Sequence, residues 1–97
     1  MKIFYISLIL FGINTIADEF IVIDVRTPEE FKERHIEESS NVEWQIISSI
    51  IDEVKKDQKI YLYCRSGRRS QNATNILIDL GYEDVINLGG IKDAAIF

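Results

Sequence analysis

Apolar positions along this chain switch between two spacings. Phe20-Ile21-Val22-Ile23 is a short β-rich run that stops at Asp24, and Lys59-Ile60-Tyr61-Leu62-Tyr63 is a second. Runs of that length and make-up predict buried strands. Between them, Thr27-Pro28-Glu29-Glu30 predicts a helix start, with Thr27 as cap, Pro28 at the first helical position and Glu30 closing a capping box. Phe31 and His35 stand four apart, so they share a face of that short helix. Ser39-Ser40-Asn41 predicts a loop. Apolar residues at 46, 47, 50, 51 and 54 recur at helical spacing and predict an amphipathic helix, with Lys55 and Lys56 set against its negative pole. Ala73, Ile76, Leu77 and Leu80 predict another helix, beginning near Ser70 and capped by Gly81. Val85-Ile86 predicts a short strand that Gly89-Gly90 breaks, and residues 91–97 predict one more helical turn. Strands that alternate with helices imply an α/β domain, a mostly parallel central sheet with helices on both faces.

The chain has 97 residues, which is room for one domain. Its 46% apolar and 28% charged residues are ordinary for a globular fold. A formal net charge of -5 argues against nucleic-acid binding, which needs a basic surface. The first residues read differently from the rest. Lys2 gives a positive start, residues 3–13 are nearly all apolar, and Thr15 and Ala17 are small. This is the layout of a secretory signal peptide cleaved after Ala17, and the run is shorter than the ~20 apolar residues a membrane span needs. The expectation is a leader at residues 1–17 and a single domain at 18–97. The domain would be exported, to the periplasm or an equivalent compartment, with no stable membrane association once the leader is removed.

The chemistry concentrates at one place. Cys64 is the only cysteine, so no internal disulfide can form, and an exported lone thiol is a candidate reactive group. Arg65, Arg68 and Arg69 follow it at once in a chain that is acidic on balance. A thiolate is the nucleophilic form of cysteine, and positive charge or a helix N-terminus lowers the thiol pKa. Both are expected here, because the predicted strand ends at Cys64 and a helix follows. Gly67 permits the tight backbone of an anion cradle. Parallel sheets bind ligands at the carboxyl ends of their strands, which is where Cys64 falls. The plain alternative is a small buried residue ending a strand, but three arginines are a poor setting for an inert core thiol.

Four segments together closely resemble the rhodanese family: Asp24-Val25-Arg26-Thr27-Pro28-Glu29-Glu30-Phe31, Arg34-His35-Ile36, Tyr63-Cys64-Arg65-Ser66-Gly67-Arg68-Arg69-Ser70 and Asn87-Leu88-Gly89-Gly90-Ile91. Within that family the chain looks most like the small single-domain periplasmic thiosulfate sulfurtransferases of the phage-shock type. The resemblance implies a two-step sulfur transfer. Cys64 attacks the outer sulfur of a donor such as thiosulfate, sulfite leaves, and the Cys64 persulfide then gives its sulfur to cyanide or a thiol. It further implies that Arg65, Ser66, Gly67, Arg68 and Arg69 bind the substrate anion. Asp24, Arg26 and Ser70 would support the site from behind, and neither a metal nor an organic cofactor would be needed. For Asp24 and Arg26 a purely structural ion pair is the simpler reading, and His35 also matches a position of structural character. Where the family carries Pro-Gly-Ala after its His-Ile pair, this chain has Glu37-Glu38-Ser39-Ser40, so a different loop is expected there.

Two rival functions follow from the same residues. Cysteine phosphatases and arsenate reductases of related fold place five residues between cysteine and arginine. Here the sixth position after Cys64 is Ser70, and the shorter loop suits a persulfide better than a phosphate. The other rival is a persulfide carrier or redox sensor that passes sulfur to a protein partner.

Overall fold

A computed structural model of the chain describes residues 19–94. The expected leader at 1–17 and the last three residues lie outside them. Four strands, β1 (Phe20–Asp24), β2 (Ser40–Asn41), β3 (Lys59–Cys64) and β4 (Val85–Gly90), form one all-parallel sheet in the order β2-β1-β3-β4. Helices α1 (Pro28–Glu33) and α2 (Arg68–Asp79) and a 3₁₀ helix (Trp44–Asp52) occupy the connections, and α3 (Ile91–Ala94) follows β4. The architecture is the small α/β fold expected from the alternating pattern. Among the described residues, no helix is long and apolar enough to cross a membrane.

Strand alternation decides which side chains meet which helices. Ile60, Leu62 and Cys64 of β3 face Ile47 and Ile50 of the 3₁₀ helix and Ala73 and Leu77 of α2. Tyr63 points the other way, into a smaller cluster with Val22, Ile91 and Ala94. The larger face carries most of the hydrophobic stabilisation, since each fully buried Ile or Leu there is worth about 1.5–3 kcal/mol.

The helix ends follow local rules closely at two points. Thr27 accepts a hydrogen bond from the Glu30 N–H at 3.1 Å while Glu30 Oε1 accepts from the Thr27 N–H at 2.9 Å, which completes the capping box. At the other end of the chain, Gly81 has φ +101°. Its N–H reaches the Ile78 carbonyl and the Tyr82 N–H reaches the Leu77 carbonyl, both at 3.0 Å. That is a Schellman stop for α2.

Four expectations need correction. The segment predicted as an amphipathic α-helix over 46–54 is a 3₁₀ helix at Trp44–Asp52, with non-helical angles at Ile46. Paired isoleucines and serines are weak helix formers, and Glu43 gives no side-chain cap. Ile47 and Ile50, three apart, are still placed on one buried face by the 3.0-residue repeat. Lys56, expected to serve its own helix, instead donates to the Leu80 carbonyl at the end of α2, at 2.6 Å. Part of the predicted 39–41 loop is strand β2, fixed by the Asn41 amide, which donates to the Asp24 and Arg26 carbonyls at 3.0 and 2.9 Å. Finally, β4 runs through Gly89-Gly90 rather than ending before them. A register shift opposes Leu62 to Asn87 but Tyr63 to Gly89, so Leu88 is the extra residue of a β-bulge.

Candidate active site

Cys64 is the last residue of β3, in the middle of the sheet, with α2 starting four residues later. Its side chain is 0% exposed. The loop from 65 to 67 curls over it and presents donors to the sulfur. The Gly67 N–H lies 2.9 Å from Sγ, and the Ser70 N–H and hydroxyl lie at 3.4 and 3.3 Å. The curl depends on glycine at both layers. Gly67 has φ +100°, and a Cβ on Gly90 would stand 2.5 Å from the Arg65 carbonyl oxygen, closer than any real contact. The loop therefore rests directly on the backbone of β4, and the bulge at Leu88 is what brings Gly89 and Gly90 beneath it.

Burial alone pushes the Cys64 thiol up. The Ser70 hydroxyl, with the N–H groups of Ser70, Ser66 and Gly67, outweighs burial and leaves the thiol below its ordinary value. The expected direction holds, and of the two expected causes it is the donors at the start of the following helix that act. Loop donors at the head of α2 lower it, where the sequence pointed first to arginine charge. A hydroxyl has one proton, and Ser70 Oγ lies both 3.3 Å from Sγ and 2.7 Å from Asn87 Oδ1. A neutral thiol leaves that proton on Asn87, while a thiolate draws it to sulfur.

The three arginines are distributed differently from one another. Arg69 makes a two-pronged pair with Glu30, at 2.9 and 3.0 Å. Arg65 reaches the same carboxylate loosely, at 3.7 Å, with its side chain 76% exposed. Arg68 is exposed in the first turn of α2, where no acidic residue offsets it. The hydrogen bond from Arg69, aided by Thr27, holds the Glu30 carboxyl down to about 2 against the effect of burial. Ser66 is exposed at the crest of the loop.

Asp24 and Arg26 lie at the carboxyl end of neighbouring β1 and are both buried. Arg26 donates to Asp24 at 2.7 to 3.1 Å through two guanidinium nitrogens and at 2.9 Å through its backbone N–H, and also donates to the Arg34 carbonyl. Its guanidinium lies 5.6 Å above the Tyr63 ring. The pair thus ties the end of β1 to its own turn, to the end of α1 and to Tyr63 of β3. His35, expected on the short helix, lies past its end at Glu33, because Arg34 is extended; it is exposed, stacked on the Phe31 ring at 3.7 Å and bonded to the Phe31 carbonyl of α1.

Sequence reasoning missed two contributors. Glu30 was legible as a capping residue but not as the partner of Arg69 and Arg65. Asn87 was not singled out, yet its Oδ1 accepts from Ser70 and the Gly89 N–H, and its Nδ2 donates to the Gly67 carbonyl at 3.1 Å. The available signal was an asparagine inside a strand, a residue type that strands disfavour. Among the described residues, no group of three or more His, Cys, Asp or Glu side chains could hold a metal ion.

Residues 13–95 match the family model described as the Rhodanese-like domain. The chain belongs to the rhodanese-like domain family. It is 36% identical over 75 residues to "Thiosulfate sulfurtransferase PspE" of Escherichia coli (strain K12), covering 75% of this chain and 72% of that protein. It is 34% identical over 74 residues to a "Sulfurtransferase" of Allochromatium vinosum, covering 76% and 69%. Among solved structures it resembles a "rhodanese with anions from E. coli", with a TM-score of 0.73 and 34% identity over 77% of this chain and 91% of that one. In this rhodanese-like domain, the Cys64 loop offers three things together: a thiol below its ordinary pKa, donors converging on its sulfur, and cations on the outer rim.

Proposed function

We propose that the chain is a sulfurtransferase that works through a persulfide on Cys64. The Cys64 thiolate attacks the outer sulfur of a thiosulfate-like anion. A sulfur–sulfur bond forms to Sγ, the donor's own sulfur–sulfur bond breaks, and sulfite leaves with the electron pair. In the second half-reaction, cyanide or a thiol takes the outer sulfur and the electron pair returns to Cys64. This is covalent catalysis by an activated nucleophile. Arg65, Arg68 and Arg69, with the N–H groups of 66 and 67, orient the anion. Ser70 supports the thiolate, and Asp24 and Arg26 stiffen the neighbouring strand end.

The observation that carries this reading is the sulfur held by two N–H groups and a hydroxyl at the carboxyl end of the central strand. Such donors stabilise negative charge on sulfur, both on the attacking thiolate and on Sγ as it leaves when the outer sulfur is transferred. The names of the relatives support the same class of reaction. Because Cys64 is 0% exposed, the donor sulfur reaches it only as residues 65–67 give way. The same burial favours a second reading, a persulfide carrier or redox-sensing module whose loaded sulfur is shielded until a protein partner opens the loop. We further propose export, with residues 1–17 as a cleaved leader and 18–97 as the working domain.

Intact mass before and after thiosulfate tests the proposal. A gain of about one sulfur atom (~32 Da), lost on adding cyanide and absent in Cys64→Ser, is expected of a persulfide-forming thiol. No gain in the reduced protein would remove thiosulfate as donor. A gain released only to a protein partner would favour the carrier.

A further inference from the structure

The half-buried amide of Asn87, in β4, uses both its hydrogens and both sides of its oxygen. Oδ1 accepts from the Ser70 hydroxyl at 2.7 Å and from the Gly89 N–H at 2.9 Å. Nδ2 donates to the Gly67 carbonyl at 3.1 Å and to Gln71 Oε1 at 3.0 Å. A backbone N–H can only donate and a backbone carbonyl can only accept, so Oδ1 must face Gly89 and Nδ2 must face Gly67. The Ser70 hydroxyl meets an oxygen that carries no hydrogen, so it must be the donor in that bond. Its own oxygen is then left to accept from the Cys64 thiol, 3.3 Å away.

We infer that Asn87 is a positioning residue for sulfur transfer: it gives the Ser70 hydroxyl a second place to point, and it holds Gly67 with its N–H on the sulfur. The inference deepens the proposed persulfide chemistry and rests on it for its purpose in the cycle. In that chemistry Sγ alternates between a charged thiolate and the uncharged inner atom of a persulfide. Ser70 is 0% exposed, so solvent offers its hydroxyl no partner when the sulfur is neutral. A buried donor left unpaired is costly. Oδ1 removes that cost by taking the hydrogen bond in the neutral states. The hydroxyl swings to Sγ when charge returns, and the O–H bond itself stays intact. Gly67 is the second point of action. Its φ is +100°, and Nδ2 pins its carbonyl while its N–H lies 2.9 Å from Sγ. Oδ1 also bonds the Gly89 N–H across Leu88, so one side chain braces the bulge and the loop together.

The test reads the thiol alone, in isotope-labelled full-length protein. The Asn87 side-chain carbonyl signal should titrate with the same midpoint as Cys64, followed by iodoacetamide reactivity against pH, because Oδ1 loses the Ser70 hydrogen bond as the sulfur ionises. The movement should vanish in Ser70→Ala. The groups around Cys64 leave that midpoint to the thiol. Arg65, Arg68 and Arg69 stay cationic over this range, and Asp24 of β1 is paired with Arg26. In the core cluster that contains Cys64, Tyr82 is the other titratable side chain, and burial pushes it above its ordinary value of 10.0. Asn87→Asp keeps an acceptor for Ser70 and Gly89, loses the donor to Gly67, and adds a charge that draws the hydroxyl away from sulfur. Iodoacetamide reactivity below the midpoint should fall roughly tenfold, the order of one hydrogen bond to a charged group. The deficit should shrink to about threefold in a Ser70→Ala background, where no hydroxyl remains to be drawn away. A carbonyl signal that ignores the Cys64 titration, or follows it equally without the Ser70 hydroxyl, would overturn the inference. So would an Asn87→Asp deficit equal in both backgrounds. A carbonyl that titrates as expected while thiosulfate loads no sulfur would support the placement of Asn87 and count against the sulfurtransferase reading alone.

Discussion

Two neighbouring strands end at the same edge of the sheet, each running into a charged turn and then a helix, and they use their polar groups in opposite ways. After β1, Asp24 and Arg26 close on one another, Asn41 takes the carbonyls, and Thr27 and Glu30 cap α1 with a complete box. Each group is consumed by its neighbours. After β3, the first turn of α2 is basic, its N-cap is Gly67 with no side-chain cap, and its free N–H groups turn to a buried sulfur. The first end satisfies the local rules of helix capping and charge, and the second breaks them. Functional sites are where such rules are expected to fail. The regular end holds the irregular one in place, because Glu30 reaches across to Arg69.

The comparison breaks most severely if the closed end is opened. Asp24→Ala leaves Arg26 as an uncompensated charge that is only 6% exposed. Removing one partner of a buried pair costs about 3–5 kcal/mol, a large part of the stability of a domain this size. Urea denaturation should show the midpoint falling accordingly. A loss under 1 kcal/mol would mean that water already reaches the pair.

Gly90→Ala attacks the loop from below. The added methyl meets the Arg65 carbonyl, so the loop must lift off β4. Displacement of a reacting group by about 1 Å can cost on the order of 100-fold in rate. Sulfur transfer should fall 10- to 100-fold by that reasoning, while far-UV circular dichroism stays close to the parent's. An unchanged rate would show that the seat on β4 does not position the loop.

Ser70→Ala sharpens the contrast, since it removes one donor and leaves the backbone. The Ser70 hydroxyl helps hold the thiol below its ordinary value, so its loss moves ionisation to higher pH. The rate of persulfide formation should drop roughly tenfold on the acid side of the profile, the order of one hydrogen bond to a charged group. The deficit should shrink as pH rises until both thiols are ionised. A deficit independent of pH would assign Ser70 a role other than stabilising the thiolate.

Legibility in the sequence follows the same division. The closed end was readable because its signals are local: Thr27, Pro28 and Glu30 are a capping box within four residues. The strand-to-helix order, the capping glycine at 81 and the place of Cys64 at a strand's carboxyl end were readable for the same reason. Contacts between distant segments were not. The support of the loop by Asn87 and Gly90 depends on a bulge at Leu88, and no short-range pattern announces a bulge. Gly89-Gly90 therefore reads as a strand break, although here the pair lies in β4 because a bare backbone lets the loop approach. The 3₁₀ helix was misread because its isoleucine spacing fits both helical periods, and only weak propensity at Ile46 and the serines separates them. The arginines were located but their partners were not, since Glu30 lies 39 residues before Arg69.

The cross-tie between the two ends gives the smallest of these effects and the one with a definite pH signature. Arg69 holds the Glu30 carboxyl down to about 2, below its usual value of 4.5. A carboxyl depressed on folding adds stability above its unfolded value and loses it as pH falls toward the folded one. Glu30→Gln keeps the shape but drops the charge, and the pair is partly shielded, with the Glu30 side chain 18% exposed. The cost at pH 7 should be about 1 kcal/mol, the upper end for a partly exposed pair. Between pH 4.5 and 2 the parent's advantage should fade, so thermal unfolding of the two proteins should converge at the acid end. A gap that persists below pH 2 would mean that the loss does not come from the Glu30 charge, and that the two strand ends are not electrostatically joined.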